Sequence, residues 1–207
     1  MKNLPLKEVS ISEIYNSIEL AIYEIPIYQR NYAWERDEIE ALVRDVHDAI
    51  VSKKSYYIGT LVTFTKDDGV YEVIDGQQRL TTIYLILKAL GQTPKNKLTY
   101  RARKKSDATI KNMPNFDIED VDTGIKNGFN DAQLSIENIL TSEEEQKKFS
   151  DYFLNHVHII HYNVPKDIDL NHYFEVMNSR GEQLEKHEIV KAQLISILDD
   201  VRDRDKF

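Results

Sequence analysis

The chain of 207 residues contains no cysteine. Disulfides, thiolate metal sites and thiol catalysis are therefore excluded together. Long apolar runs are missing too, so nothing in the sequence reads as a membrane-spanning helix. The polar start Met1-Lys-Asn-Leu-Pro-Leu-Lys-Glu8 lacks the apolar core of a secretory signal, and a cytoplasmic location is the expectation. Positive charge is in deficit: 27 Lys and Arg stand against 35 Asp and Glu, a net charge of −8. This argues against a surface coated in positive potential for bulk DNA binding, so any nucleic-acid contact is expected to be local. What is present is ordinary for a globular protein, with 41% hydrophobic and 30% charged residues. That is enough for one substantial core, or one core with a helical appendage.

The stretch from Tyr71 to Gly91 organises the rest. Tyr71, Val73 and Ile74 read as the end of a half-buried strand, while Leu80, Ile83, Leu87 and Leu90 recur at helical spacing with Gly91 as the stop. Between them lies Asp75-Gly76-Gln77-Gln78-Arg79. A strand turning sharply into a helix leaves the first helical N–H groups without intrahelical partners at the positive end of the dipole, which makes an anion site. Gly76 permits a backbone shape that a side chain resists, and Arg79 adds a planar fork suited to phosphate. Asp75 is then placed to hold a metal or to steer a water. The same residues also make an ordinary turn, with Asp75 as helix cap and Arg79 paired to a structural carboxylate. The residues alone leave both readings open.

Elsewhere, Ser10 opens a short capped helix carrying Ile11, Ile14 and Ile18. Ala21 to Arg30 is predicted to be extended, with Tyr28 and Arg30 on one face and Ile25, Ile27 and Gln29 on the other. This is either an edge strand or a stacking surface with a phosphate donor. Residues 35–53 form an amphipathic helix through Ile39, Leu42, Val43, Val46 and Ile50. Trp34, the single tryptophan, is a packing anchor before it. Residues 56–65 and 70–74 are strands joined by a hairpin turn, with Gly59 marking a bulge or close approach. After a break at 92–97 come Lys95, Lys97, Arg101, Arg103, Lys104, Lys105 and Lys111, a basic segment in an acidic chain. A solvated helical face or mobile insertion is the preferred reading, and a patch for DNA or triphosphate is the alternative. Residues 115–130 read as containing a loop, 131–140 as weakly helical and 142–155 as a capped helix with Phe149 and Phe153 on one face. Residues 157–164 form a returning strand. His156, His158 and His161 do not suit a metal: the first two share a strand face, the third points away, and no carboxylate or cysteine stands at ligand spacing. A helix at 168–177 ends at Asn178-Ser-Arg-Gly181, and a last helix over 188–201 carries Ile189, Ala192, Leu194, Ile197 and Leu198.

Three stretches together resemble the signatures of the GmrS-type N-terminal domain family, found in GmrSD-like modification-dependent restriction enzymes and in defence proteins such as SspE and BrxU. They are Asp75 to Arg79 (DGQQR), Ile25-Pro-Ile-Tyr-Gln-Arg30 followed by Asn31-Tyr-Ala-Trp34 (IPxYQRxYxW), and Phe174 to Gly181 with Leu184 and Lys191. The stretch between about Gly91 and Asp151 departs from the pattern. The resemblance implies a ParB/sulfiredoxin-like core that binds and hydrolyses nucleoside triphosphate with Mg²⁺; sulfiredoxin chemistry itself needs a cysteine and cannot carry over. It implies catalytic roles for Asp75, Gln77, Gln78 and Arg79, with Asp75 as metal ligand. It further implies nucleotide contacts from Gly76, Tyr28, Gln29, Arg30, Asn178, Arg180 and Lys191. Family members usually continue into a helical region and often an HNH nuclease domain, and no His-Asn-His pattern occurs in this chain. An HNH nuclease domain or subunit is therefore the implied partner, and the chain is expected to be the N-terminal part of a longer protein or a compact member without the nuclease.

The expected fold is α+β: a small mixed sheet of the implied type flanked by helices. The division is 1–91 as the core with the turn, 92–155 as a mainly helical insertion, and 156–207 as the returning strand and C-terminal helices. The expected function is nucleotide binding with hydrolysis, in a restriction or antiphage defence protein. The alternative is a non-catalytic module that senses nucleotide or DNA and regulates a nuclease. DNA contact, if any, would run through Lys95, Lys97, Arg101, Arg103, Lys104 and Lys105. DNA cleavage by this domain is disfavoured, since no nuclease metal constellation is visible.

Overall fold

The computed structural model describes residues 6–17, 20–67 and 69–168. Its centre is the hairpin of β3 (Tyr56–Asp67) and β4 (Val70–Asp75), followed at once by helix α3 (Gln77–Ala89). Five side chains of α3, Leu80, Ile83, Leu85, Ile86 and Leu87, are fully enclosed. At about 1.5–3 kcal/mol for each fully buried aliphatic residue, this helix anchors the core. Gly91, at φ +73°, follows its end as expected.

The hairpin lies in the middle of a six-stranded mixed sheet, which makes the fold α+β. Strand β4 pairs in parallel with β2 (Ile22–Glu24), and β2 in parallel with β5 (Lys97–Thr99) at one edge. On the other side β3 pairs in parallel with β6 (Val157–Val164), and β6 pairs antiparallel with β1 (Leu6–Ser10) at the far edge. The order is thus β1-β6-β3-β4-β2-β5. The remaining helices are α1 (Ile11–Tyr15), α2 (Arg36–Ser52), α4 (Lys104–Lys111), α5 (Thr123–Ile139) and α6 (Glu143–His156). Side chains alternate along each strand. Tyr23, Leu61, Val73, Val157 and Ile159 therefore join residues of all six described helices in one core, while Val62, Ile74, Tyr162 and Val164 form a smaller cluster on the opposite sheet face.

Several expectations need correcting. Extended structure at 21–30 stops after Glu24, because Pro26 has no N–H for a ladder and the Gln29 N–H closes a turn on the Pro26 carbonyl at 3.2 Å. The alternation of Tyr28 and Arg30 against Ile25, Ile27 and Gln29 therefore does not apply. Edge strands β1 and β5 are additions, only five and three residues long. Strand β5 is located by Asn96, whose buried amide accepts from Ala21 N at 2.9 Å and donates to the Ile14 carbonyl at 2.5 Å. The stretch 115–130, read as containing a loop, holds one up to Asp122, after which helix α5 begins at Thr123. Gly128 is there for contact and not for a turn: a Cβ would lie 2.5 Å from Tyr32 Cε1 and 2.9 Å from Leu85 Cδ1. His156 ends α6 and does not share a strand face with His158.

Candidate functional site

The β4–α3 turn is built from the glycine outward. Gly76 caps α3 with φ +93°, and a Cβ there would sit 2.8 Å from the Thr60 carbonyl oxygen of β3. Only glycine lets the chain reverse so close to its neighbour. The N-cap residue of α3, Gly76, has no side chain with which to cap the first turn. Arg79 Nη2 donates to the Thr60 carbonyl at 2.7 Å and lies 3.6 Å from Asp75 Oδ2. Gly59, at φ +114°, fits against that guanidinium, 3.4 Å from Cζ by the position a Cβ would take. The close approach predicted for Gly59 is thus with Arg79.

The loop from Ile25 to Trp34 is stitched onto this turn. Gln29 Nε2 donates to the Ile74 carbonyl at 2.6 Å, and Gln77 Nε2 to the Arg30 carbonyl at 3.2 Å. Gln78 uses both ends of its amide, donating to the Asn31 carbonyl and accepting from Ala33 N, each at 2.9 Å. Tyr32 is buried and shares a 2.8 Å hydrogen bond with Thr82 one turn further along α3. The structure therefore brings Gln29 and Arg30 beside Asp75, Gly76, Gln77, Gln78 and Arg79, while the Tyr28 hydroxyl is tied to Glu72 of β4. Asn178, Arg180 and Lys191 lie outside the described residues.

Two buried polar atoms of the turn lack a hydrogen-bond partner among the described residues: Gln77 Oε1 and Arg79 Nε. Gln77 is only 3% exposed. An acceptor and a donor left open within three residues are costly unless something answers them.

Sequence reasoning missed a charged row on the opposite sheet face. Lys66 Nζ bridges Glu24 Oε1 at 2.9 Å and Glu72 Oε2 at 2.6 Å, and the Tyr28 hydroxyl donates to Glu72 Oε1 at 2.8 Å. Burial, with the hydrogen bond to Glu72 second, pushes the Tyr28 phenol well above its usual range. The two carboxylates hold the Lys66 ammonium above its usual value. Glu24 and Glu72 face each other only because β2 and β4 pair in register, which no local pattern announces.

The basic segment is not uniform. Arg101 lies 3.9 Å from Glu24, Lys105 pairs with Asp120 at 2.9 Å and Lys111 with Asp107 at 2.5 Å. Burial raises the Asp107 carboxyl, yet bonds from Lys111, Thr99 and the Tyr100 N–H outweigh it and hold it below its usual value. Arg103 turns inward to the carbonyls of Ile27, Gln29 and Arg30. Lys95, Lys97 and Lys104 are exposed, with no ion pair among the described residues. A cleft of about 620 Å³ beside β5 mixes Glu24 and Asp107 with Lys97, Arg101 and Lys111, so it has no marked preference for anions. His158 Nδ1 lies 3.1 Å from Glu8, and His161 Nε2 lies 2.8 Å from Thr63 Oγ1. Among the described residues no group of three His, Asp or Glu side chains is placed to hold a metal, and no helix is long and apolar enough to cross a membrane.

Residues 11–195 match the family model described as the GmrSD restriction endonuclease N-terminal domain, and the chain belongs to that family. No curated protein matches the chain at a significant level. Membership places it among the modules of restriction and defence proteins.

Proposed function

We propose that this member of the GmrSD N-terminal domain family binds a nucleoside triphosphate at the β4–α3 turn and hydrolyses it. The observation that carries the reading is the pair of open polar atoms, Arg79 Nε and Gln77 Oε1, at the start of a helix whose N-cap is a glycine. A phosphate oxygen answers the donor, and a water held for in-line attack answers the acceptor. The α3 N–H groups and Arg79 supply fixed positive charge where the transferred phosphoryl group gathers negative charge, and phosphoryl transfer depends mainly on such placement. Arg30, exposed at the rim, adds a second guanidinium, and the half-exposed Tyr28 ring offers a face for a base.

Asp75, at the mouth of the turn, suits Mg²⁺, a hard cation that is often held by one or two carboxylates together with substrate phosphates. Bound there, the ion would neutralise phosphate charge. Asp75 alternatively polarises the attacking water. Gln78, whose amide is fully engaged by the 31–33 backbone, frames the site, and the water-orienting role goes to Gln77. Asn178, Arg180 and Lys191 are carried as further nucleotide contacts by the family resemblance. In the whole protein the nucleotide state would govern a partner nuclease of HNH type, with DNA touching Lys95, Lys97 and Lys104.

The test is phosphate release from ATP, GTP, CTP and UTP with Mg²⁺ by wild type, Asp75→Ala and Gln77→Ala. Loss of a group that stabilises the transition state lowers turnover by about 100-fold or more. The expected result is that loss in Asp75→Ala, and reduced turnover with binding retained in Gln77→Ala. Equal rates in all three, or no calorimetric binding by wild type, would overturn the assignment. A second reading, a sensing module without chemistry, draws on the number of turn side chains tied to main chain: Gln78 at both ends, Gln77 Nε2 and Arg79 Nη2. Binding without turnover in a single-turnover experiment would favour it.

A further inference from the structure

We propose that Arg103 is a positioning residue for the nucleotide site, a clasp that holds the loop carrying Tyr28, Gln29 and Arg30 against the turn. The inference rests on the reading of that turn as a triphosphate seat. From the segment between β5 and α4, Arg103 Nη2 donates to the Ile27 carbonyl at 2.9 Å and to the Gln29 carbonyl, and Nη1 reaches the Arg30 carbonyl at 3.5 Å. Three carbonyls within four residues converge on one guanidinium.

The loop needs such a device. Strand β2 ends at Glu24, so residues 27–30 have no ladder, and Ile27 and Tyr28 are 61% and 53% exposed. Burial cannot fix a segment that shows its apolar side chains to water, so hydrogen bonds must do so. The Arg30 carbonyl is the point of leverage. It accepts from Gln77 Nε2 at 3.2 Å and from Arg103 Nη1 at 3.5 Å. Whatever sets this carbonyl therefore sets the Gln77 amide, and with it the direction of Gln77 Oε1, the buried acceptor assigned to the attacking water. A lysine at 103 presents one compact ammonium and cannot reproduce a planar fork aimed at three acceptors. The charge pattern of 95–111 suggested solvent or DNA for this residue; its bonds assign it to the site.

The test uses the full chain with Arg103→Ala and Arg103→Lys. Three readouts are taken: amide exchange at residues 27–31 without nucleotide, Kd and kcat for the four ribonucleoside triphosphates with Mg²⁺, and the thermal midpoint. The expected result is faster exchange in the loop, a Kd raised about tenfold in Arg103→Ala through lost preorganisation, a smaller rise in Arg103→Lys, and an unchanged midpoint. Where Arg103→Ala fails to fold, Arg103→Lys alone decides. Unchanged exchange would show that Arg103 does not hold the loop. Faster exchange with wild-type Kd and kcat would show that the loop's order is irrelevant to the site. A fall in affinity only in proportion to the midpoint would make the residue merely structural. Absence of nucleotide binding by wild type would overturn the functional reading and the positioning role with it, while the exchange data would still decide whether the clasp exists.

Discussion

Acid should weaken this fold through His161 in particular. Its ring, on β6, is largely buried beside Tyr23 and Tyr71 with centroids 6.5 and 6.1 Å away, and Nε2 is 2.8 Å from Thr63 Oγ1. Burial, with Lys7 adding like charge, lowers the imidazole from 6.5 to about 4. The unfolded chain therefore takes up the proton first. Below pH 6.5 the unfolded state binds more protons than the native state, so stability falls as pH falls and the loss levels off below about 4. At 1.36 kcal/mol per unit, the stability forfeited is about 2 kcal/mol by pH 5 and about 3 kcal/mol by pH 4. These are upper figures, because the residue keeps partial contact with solvent. Urea unfolding of wild type and His161→Gln at intervals from pH 7.5 to 4 isolates the effect, since the carboxylates titrate alike in both. The difference between them should shift against wild type as pH falls below 6.5. A difference independent of pH would refute the claim that the fold holds this ring neutral.

Two further outcomes follow from the same geometry. Gly76→Ala places an L side chain at φ +93° and a Cβ 2.8 Å from the Thr60 carbonyl oxygen; left-handed backbone at about 1–2 kcal/mol and a steric clash at about 1–3 kcal/mol should together lower unfolding stability measurably and impair nucleotide binding. A melt indistinguishable from wild type would show that the turn is looser than described. Charge reversal at Lys95, Lys97 and Lys104 should reduce the salt slope of any DNA binding by about one for each phosphate that is no longer neutralised. Reversal at Lys105, which is paired with Asp120, should have less effect. Equal slopes for all of these variants would remove the proposed DNA face.

The hairpin and α3 were legible because their apolar periods are long and unambiguous and Gly91 marks a stop. The capped start at Ser10 was legible because Glu13 completes the reciprocal box seen in the structure. Strands β1 and β5 were not, since each is defined by a neighbour across the sheet and not by its own five or three residues. The start of α5 was hidden by Gly124 and Gly128, which look like turn residues until Tyr32 appears against them. At the site, the residue set was visible as motif, but the division of labour was not. Glutamine in sequence says nothing about whether its amide bridges backbone, as Gln78 does, or leaves an oxygen open, as Gln77 does. Arg103 looked like surface charge because its acceptors are carbonyls, which carry no sequence signature at all.

The choice of amides here has an electrostatic consequence. Gln29, Gln77 and Gln78 fasten the loop to the turn through bonds with main-chain groups, each copying a peptide bond. Carboxylates could accept from N–H groups but could not donate to the carbonyls of Arg30, Asn31 and Ile74, and they would add negative charge beside the start of α3. Amides do both tasks without net charge. The positive potential of the helix start, Arg79 and Arg30 is then opposed within the turn by Asp75 alone, 3.6 Å from Arg79. In a chain of net charge −8, a neutral frame of this kind favours the anion seat proposed for this turn. It follows that replacing a framing amide by its isosteric acid, as in Gln78→Glu, should weaken nucleotide binding twice over if the proposed seat is correct, by breaking the bond to the Asn31 carbonyl and by placing a second negative charge beside the proposed phosphate position.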